Sequence, residues 1–278
     1  MKLTEAREFV LSTRPQWRDA DNDTAKINSQ HCIDALGDIL IADITPMSYV
    51  QIQNHFRALG KSNGTINRIT SALSTIFTEL AKHHMVDRVV RCPNALKEPK
   101  GRITYYTDEE VQAMLEACHK LEEADAMLVK DIILFASHTG ARQGEILKLT
   151  WKNVIWDMEL VCFRKTKDGS DRDVPMTNAV KEMLTRLHDE RIDDDKVFPI
   201  NKYRLLRRIH KLKRLCGITE EEKCFHTFRH GVATKLLAKG AAINETMALL
   251  GHSQISTTMR YAHATAEGKR NAVSRLED

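Results

Sequence analysis

A polar stretch from Pro93 to Ile103, holding Lys97, Pro99, Lys100, Gly101 and Arg102, divides a chain that is otherwise patterned for helices. Proline removes a backbone donor and glycine has no side chain to restrict its backbone, so such a stretch interrupts regular structure. Two units are therefore expected, residues 1–96 and 107–278, with a linker over 97–106. A chain of 278 residues with 42% hydrophobic content is long enough to give each unit a core. Aromatics make up only 6%, and Ala, Leu, Ile and Met supply most of the apolar residues, which predicts a mainly helical protein.

Local signals agree. Ser62-Asn63-Gly64-Thr65 reads as a break and cap, followed by Ile66, Ile69, Leu73, Ile76, Phe77 and Leu80 at helical spacing. Thr107 with Glu110 forms a capping box, in which each residue satisfies the other's free N–H. A more apolar helix follows over about 126–137, stopped by Thr139-Gly140, and Glu145-Ile146-Leu147 opens a short one. The pattern then changes. Leu160 to Arg164 is strand-like, Asp168-Gly169 is a hairpin-turn pair, and Arg172-Asp173-Val174-Pro175 is the return strand. From Asn178 the pattern is helical again, with Gly251 as a helix C-cap. The expected fold class is mainly α, with a small antiparallel β-sheet in the C-terminal domain.

The formal net charge of +4 is mildly basic and by itself favours nucleic acid only weakly. The six cysteines form no C-x-x-C pair and no zinc-finger grouping, as suits thiols in a reducing cytosol. The N-terminus has no signal-peptide core, and the apolar run Ile132–Ala136 is too short to span a membrane. A cytoplasmic protein is expected, nucleoid-associated when bound to DNA.

Four segments could carry chemistry: His138 to Ile146 around Arg142, Lys165 to Gly169 around Lys167, His226-Thr227-Phe228-Arg229-His230, and Leu250-Gly251-His252-Ser253 with Tyr261 beyond it. Singly, each has a plain alternative. Arg142 reads as a surface cation, Lys167 as a solvated turn residue, His226 and Arg229 as a polar helix face, His252 as a cap and Tyr261 as core. Together and in this order they resemble the tyrosine recombinase (phage integrase) family. Arg142 sits in Thr-Gly-x-Arg-x-x-Glu, Lys167 lies seven residues before Val174, and His226 and Arg229 fill His-x-x-Arg. His252 lies in Leu-Gly-His-Ser, and Tyr261 follows nine residues later. The likeness is strong over residues 105–278 and looser before that, at Thr65-Ile66-Asn67-Arg68 and Asn94-Ala95.

The resemblance implies a two-domain architecture, a helical core-binding domain that clamps DNA and a mixed α/β catalytic domain. There is little room for the extra arm-binding domain of many phage integrases. It also implies metal- and ATP-independent strand transfer with no cofactor. Tyr261 would be the nucleophile, His226 the acceptor of its proton and Lys167 the general acid. Arg142, Arg229 and His252 would hold the phosphate, with Glu145 orienting them. Lys61, Arg68 and Lys97 are the expected phosphate contacts of the first domain. The implied partners are double-stranded DNA with a specific recombination site, three further copies in a homotetramer on paired sites, and accessory DNA-bending or directionality proteins. The polar segment 264–276 would dock on a neighbouring subunit. Integration or excision of a mobile element is the preferred role. Chromosome-dimer resolution and transposon movement share its chemistry, and a type IB topoisomerase-like enzyme or a non-catalytic DNA-binding protein is the alternative.

Overall fold

The computed structural model describes residues 1–18, 24–99, 103–164, 171–190 and 195–262. The chain divides into two compact units, Met1–Gly101 and Arg102–Asp278. No helix among the described residues is long and apolar enough to cross a membrane.

The first unit is helical: α1 (Leu3–Thr13), the single turn α2 (Pro15–Arg18), α3 (Thr24–Leu36), α4 (Pro46–Ala58) and α5 (Asn63–Lys82). α5 is its central element. Ile66, Ile69, Leu73, Ile76, Phe77 and Leu80 are all buried, against Leu3, Val10, Ile52 and Phe56 among others. The helix begins three residues before its apolar stripe, because Ser62 Oγ accepts from the Thr65 N–H and caps the first turn. The polar segment after α5 is tied back to α4 and α5. Tyr49 Oη donates to the Val90 carbonyl (2.7 Å), and Asn67 exchanges two 2.8 Å hydrogen bonds with the backbone of Leu96. Asn63 donates to the Lys97 carbonyl, so the first residue of the expected linker is held on α5.

The second unit contains α6 (Asp108–Ala117), α7 (Glu123–Thr139), α8 (Gln143–Lys148), α9 (Asn178–Glu190), α10 (Lys202–Leu215), α11 (His226–Ala238), α12 (Ile243–Leu250) and α13 (Ile255–Ala262). Between α8 and α9 lies a three-stranded antiparallel sheet in the order β1 (Val154–Ile155), β2 (Leu160–Phe163), β3 (Arg172–Pro175). The expected turn at Asp168-Gly169 lies outside the described residues. β1 has two residues, too few to show period-2 alternation in sequence. The start of the unit is anchored by Tyr106, whose ring packs on Phe228 and whose hydroxyl donates to the Lys223 carbonyl (3.0 Å).

α7 is the axis of this unit. Val129, Ile132, Ile133, Phe135 and Ala136 are buried, and Phe135 packs against Phe163 of β2 and Phe198. Its N-terminal end is joined to α10 by ion pairs of Arg208 with Glu122 and Asp125, to which Arg204 adds a contact at 2.7 Å. The capping box of Thr107 and Glu110 opens α6 as the sequence predicts. Gly140 ends α7 in the left-handed region (φ 63°), and Gly251 ends α12 in the same way (φ 65°).

Gly140 is fixed by space as well as by φ. A Cβ there would lie 2.5 Å from Leu250 Cδ2, whereas Gly217, also left-handed (φ 69°), has nothing within 4 Å. Gly217→Ala is expected to cost about 1 kcal/mol, from backbone strain alone. Gly140→Ala is expected to cost about 3 kcal/mol, because a packed neighbour must also move. Urea denaturation of the two variants, both in the second unit, measures the difference.

Candidate active site

The site forms where α8, β3, α11 and α13 meet the C-terminal end of α12. A helix end leaves carbonyls without intrahelical partners and carries partial negative charge. In α12 the Met247 and Ala248 carbonyls are closed by the backbone N–H groups of His252 and Gly251. The next three each take an arginine. Leu249 O accepts from Arg172 Nε (3.0 Å), Leu250 O from Arg229 Nη2, and Gly251 O from Arg142 Nη2 (3.2 Å).

Arg142 reaches this point through the Thr-Gly-x-Arg-x-x-Glu spacing. Gly140 turns the chain out of α7, and Arg142 becomes the residue before α8. Its backbone N–H donates to Glu145 Oε2 (2.7 Å) and its guanidinium to Glu145 Oε1 (3.0 Å). The i, i+3 spacing is thus a helix cap: the carboxylate that satisfies the Arg142 backbone also holds its side chain. Arg229 is 1% exposed, with its other terminal nitrogen donating to the Gly140 carbonyl (3.0 Å). Burial, with Arg142 and Arg172 nearby, pulls Arg229 below the usual guanidinium range. The two carbonyl bonds oppose this and keep it cationic.

Two residues beside the expected catalytic set have no role in the sequence motifs. Arg172 makes a two-pronged bond to Glu145, at 2.8 and 2.7 Å, and its guanidinium lies over the Phe163 ring at 4.5 Å. A signal for it exists: alternation in β3 puts Arg172 on the same buried face as Val174, and a buried arginine requires a carboxylate. His230 is the other, with Nδ1 2.5 Å from Tyr261 Oη. The sequence placed it one residue past Arg229 but not against the tyrosine, since α13 is distant in the chain.

His226 lies one turn before His230, and the two rings meet edge to face at 4.8 Å. His252 follows Gly251 directly. Its Nδ1 shares a 2.8 Å hydrogen bond with Thr258 Oγ1, and its ring lies parallel to that of Tyr261 with centroids 6.4 Å apart. Tyr261 is 4% exposed. Lys167 lies outside the described residues, as does 264–276. Lys61, Arg68 and Lys97 are exposed on the first unit, around the start of α5.

The electrostatics follow from three cations around one carboxylate. Burial alone would raise the Glu145 carboxyl, but its bonds to Arg172 and Arg142 outweigh this and hold it below the usual range. His226 is pushed down by burial and then by Arg229 and Arg142. His252 is pushed down to about 4 by burial, Arg229 and Arg142, and His230 to about 4 by burial, His226 and Arg260. Burial raises the Tyr261 phenol against the opposing pull of Arg229 and Arg260. At neutral pH the site therefore offers positive charge from arginines, neutral imidazoles and a protonated phenol. An anionic tetrahedral group is the ligand such a site fits, because guanidinium forks match its oxygens.

Comparison with known proteins shows the family. A model of the Phage integrase family matches residues 104–267, and the chain belongs to that family, the tyrosine recombinases that exchange DNA strands. The chain is 31% identical over 223 residues to the integrase of Escherichia phage P2, covering 78% of this chain and 60% of the phage protein's length. It is 28% identical over 291 aligned positions to a XerC-like tyrosine recombinase of Caldanaerobacter subterraneus subsp. tengcongensis, covering 84% and 72%. In fold it is similar to the XerH site-specific recombinase, solved in a post-cleavage complex with difH, with a TM-score of 0.75 at 19% identity over 92% of this chain and 80% of that one.

Arg172→Lys keeps one charge but loses the fork to Glu145, and is expected to cost about 2 kcal/mol. Glu145→Gln leaves two arginines without their carboxylate and is expected to cost more, about 3–5 kcal/mol. Chemical denaturation measures both. The depressed histidines also predict acid lability. His230 and His252 have ordinary values of 6.5 and folded values of about 4, so the unfolded chain takes up protons first as pH falls. Their contribution is complete above 6.5 and is lost between there and about 4. Denaturation midpoints from pH 7 to 5 should fall, and less steeply in His252→Asn.

Proposed function

We propose that this protein is an integrase that cuts and rejoins DNA through a covalent 3′-phosphotyrosyl link to Tyr261, for integration or excision of a mobile element. The observation that carries the proposal is the gathering of Arg142, Arg229, His226, His252 and Tyr261 at one helix end. A phosphodiester resists attack because its oxygens repel the nucleophile and the transition state gathers further charge. Fixed cations placed beforehand lower that barrier, and one such group supplies about 3–4 kcal/mol by analogy with a single oxyanion-hole donor. Arg142 and Arg229 would bind the non-bridging oxygens, joined by His226 and His252. Lys167 would protonate the departing 5′ oxygen. The ester keeps the energy of the broken bond, so a 5′-hydroxyl from a partner strand can attack it and reseal the DNA without ATP. Two sites exchanging four strands through a Holliday junction require four active sites, hence a tetramer, with segment 264–276 as the proposed contact between subunits.

In this reading the first unit is a DNA-clamping domain that uses Lys61, Arg68 and Lys97. In the second unit α10 adds a surface of the same character. Tyr203, Arg207, His210 and Arg214 recur at helical spacing on its exposed face, and Tyr203 is 83% exposed. Cations and an aromatic on one open face suit a nucleic-acid backbone. The similarity to the XerC-like protein favours a second role with the same chemistry, resolution of chromosome dimers.

The test uses purified protein and nicked duplex fragments tiled across the DNA flanking its gene, where the nick lets a short strand diffuse away and traps the covalent complex. Wild type is expected to give a protein–DNA band that survives SDS and disappears with protease, and Tyr261→Phe to give none. Equal trapping by the variant overturns the assignment of Tyr261. The fragment that traps locates the site, and a site beside the gene separates integration from chromosome resolution.

A further inference from the structure

We infer that His230 is the base of this active site: it takes the Tyr261 proton as the DNA strand is cut and returns it as the strand is rejoined. The inference builds on the recombinase reading above and moves this role from His226, where the sequence put it, to the neighbouring histidine on the same helix face. Geometry is the first ground. His230 Nδ1 lies 2.5 Å from Tyr261 Oη, with ring centroids 5.5 Å apart, so the phenol donates to it in the Nε2–H tautomer. His226 instead meets the His230 ring edge to face.

Charge is the second ground. Among the described residues, the groups facing His230 are His226 and Arg229 from α11 and Tyr261 and Arg260 from α13. None is a carboxylate, and burial with these neighbours keeps the imidazole neutral, its value pushed down to about 4. A neutral imidazole has the lone pair that a base needs. A scissile phosphate brought to Arg142 and Arg229 adds negative charge nearby and favours the imidazolium that forms. Tyr261 is buried and its phenol is raised, so solvent is a poor alternative base.

The step balances. Tyr261 Oη bonds to phosphorus, the bond from phosphorus to the 5′ oxygen breaks, and the phenol proton passes to His230 Nδ1. The 5′ oxygen leaves as a hydroxyl on taking a proton from Lys167. Religation reverses each transfer, with His230 reprotonating the departing tyrosine.

The experiment follows single-turnover formation of the covalent complex on the trapping fragment, from pH 6 to 9.5, for wild type, His230→Asn and Tyr261→Phe. Asparagine keeps a hydrogen-bonding group beside Oη but cannot accept the proton. A general base contributes about 10²–10⁴-fold, so His230→Asn is expected to be at least 100-fold slow at pH 6.5. The deficit is expected to close as pH rises, because hydroxide then supplies the phenolate. A wild-type rate, or a deficit constant with pH, overturns the inference and leaves the recombinase reading standing, since the wild type still traps. Absence of trapping by wild type overturns both. The contact is checked without DNA by ¹⁵N spectra of histidine-labelled protein: the His230 Nδ1 resonance should move in Tyr261→Phe, and an unmoved resonance counts against the inference.

Discussion

Three successive carbonyls at the end of α12, each taking a hydrogen bond from a different arginine, are the contact on which the second unit's site depends. The donors come from β3, from α11 and from the residue before α8, which are far apart in the chain. Each carbonyl would otherwise be an unsatisfied acceptor, and together they form the negative end of a helix. The guanidinium groups repel one another, and Glu145 between Arg142 and Arg172 offsets that repulsion. The balance still favours positive charge.

Close packing makes the arrangement specific. Leu250 can approach Gly140 only because no Cβ stands there, and a Cβ on Gly251 would lie 2.9 Å from Arg172 Cδ. Both glycines also adopt backbone conformations that other residues resist. The same two residues therefore end their helices and admit Leu250 and Arg172. His252, directly after Gly251, is brought over Tyr261 by the same turn, and Thr258 fixes its ring. Burial keeps the imidazoles neutral and the phenol protonated.

Much of this was legible because it is local. The capping box at Thr107, the stop at Gly140, the C-cap at Gly251 and the strands around 160 and 175 follow from short-range rules, and the structure shows each. The start of α5 was less legible. α5 begins at Asn63, because a serine cap acts before the apolar stripe does. The expected catalytic set was named from the order of its residues, but Arg172 and His230, which touch it, were not named with it. Arg172 was read only as part of a return strand, although its shared face with the buried Val174 was a usable signal. His230 gave no such signal, since its bond to Tyr261 joins two helices.

The sequence alone determined the helical character, the small sheet, the family and the residues that bear charge, because caps, alternation and motif spacing act over a few residues. Only the tertiary structure decided which groups touch: that Glu145 serves two arginines, that three carbonyls receive three guanidiniums, and that His230 faces Tyr261. Those contacts join residues up to 109 positions apart. They depend on helix packing and burial, which no local pattern encodes.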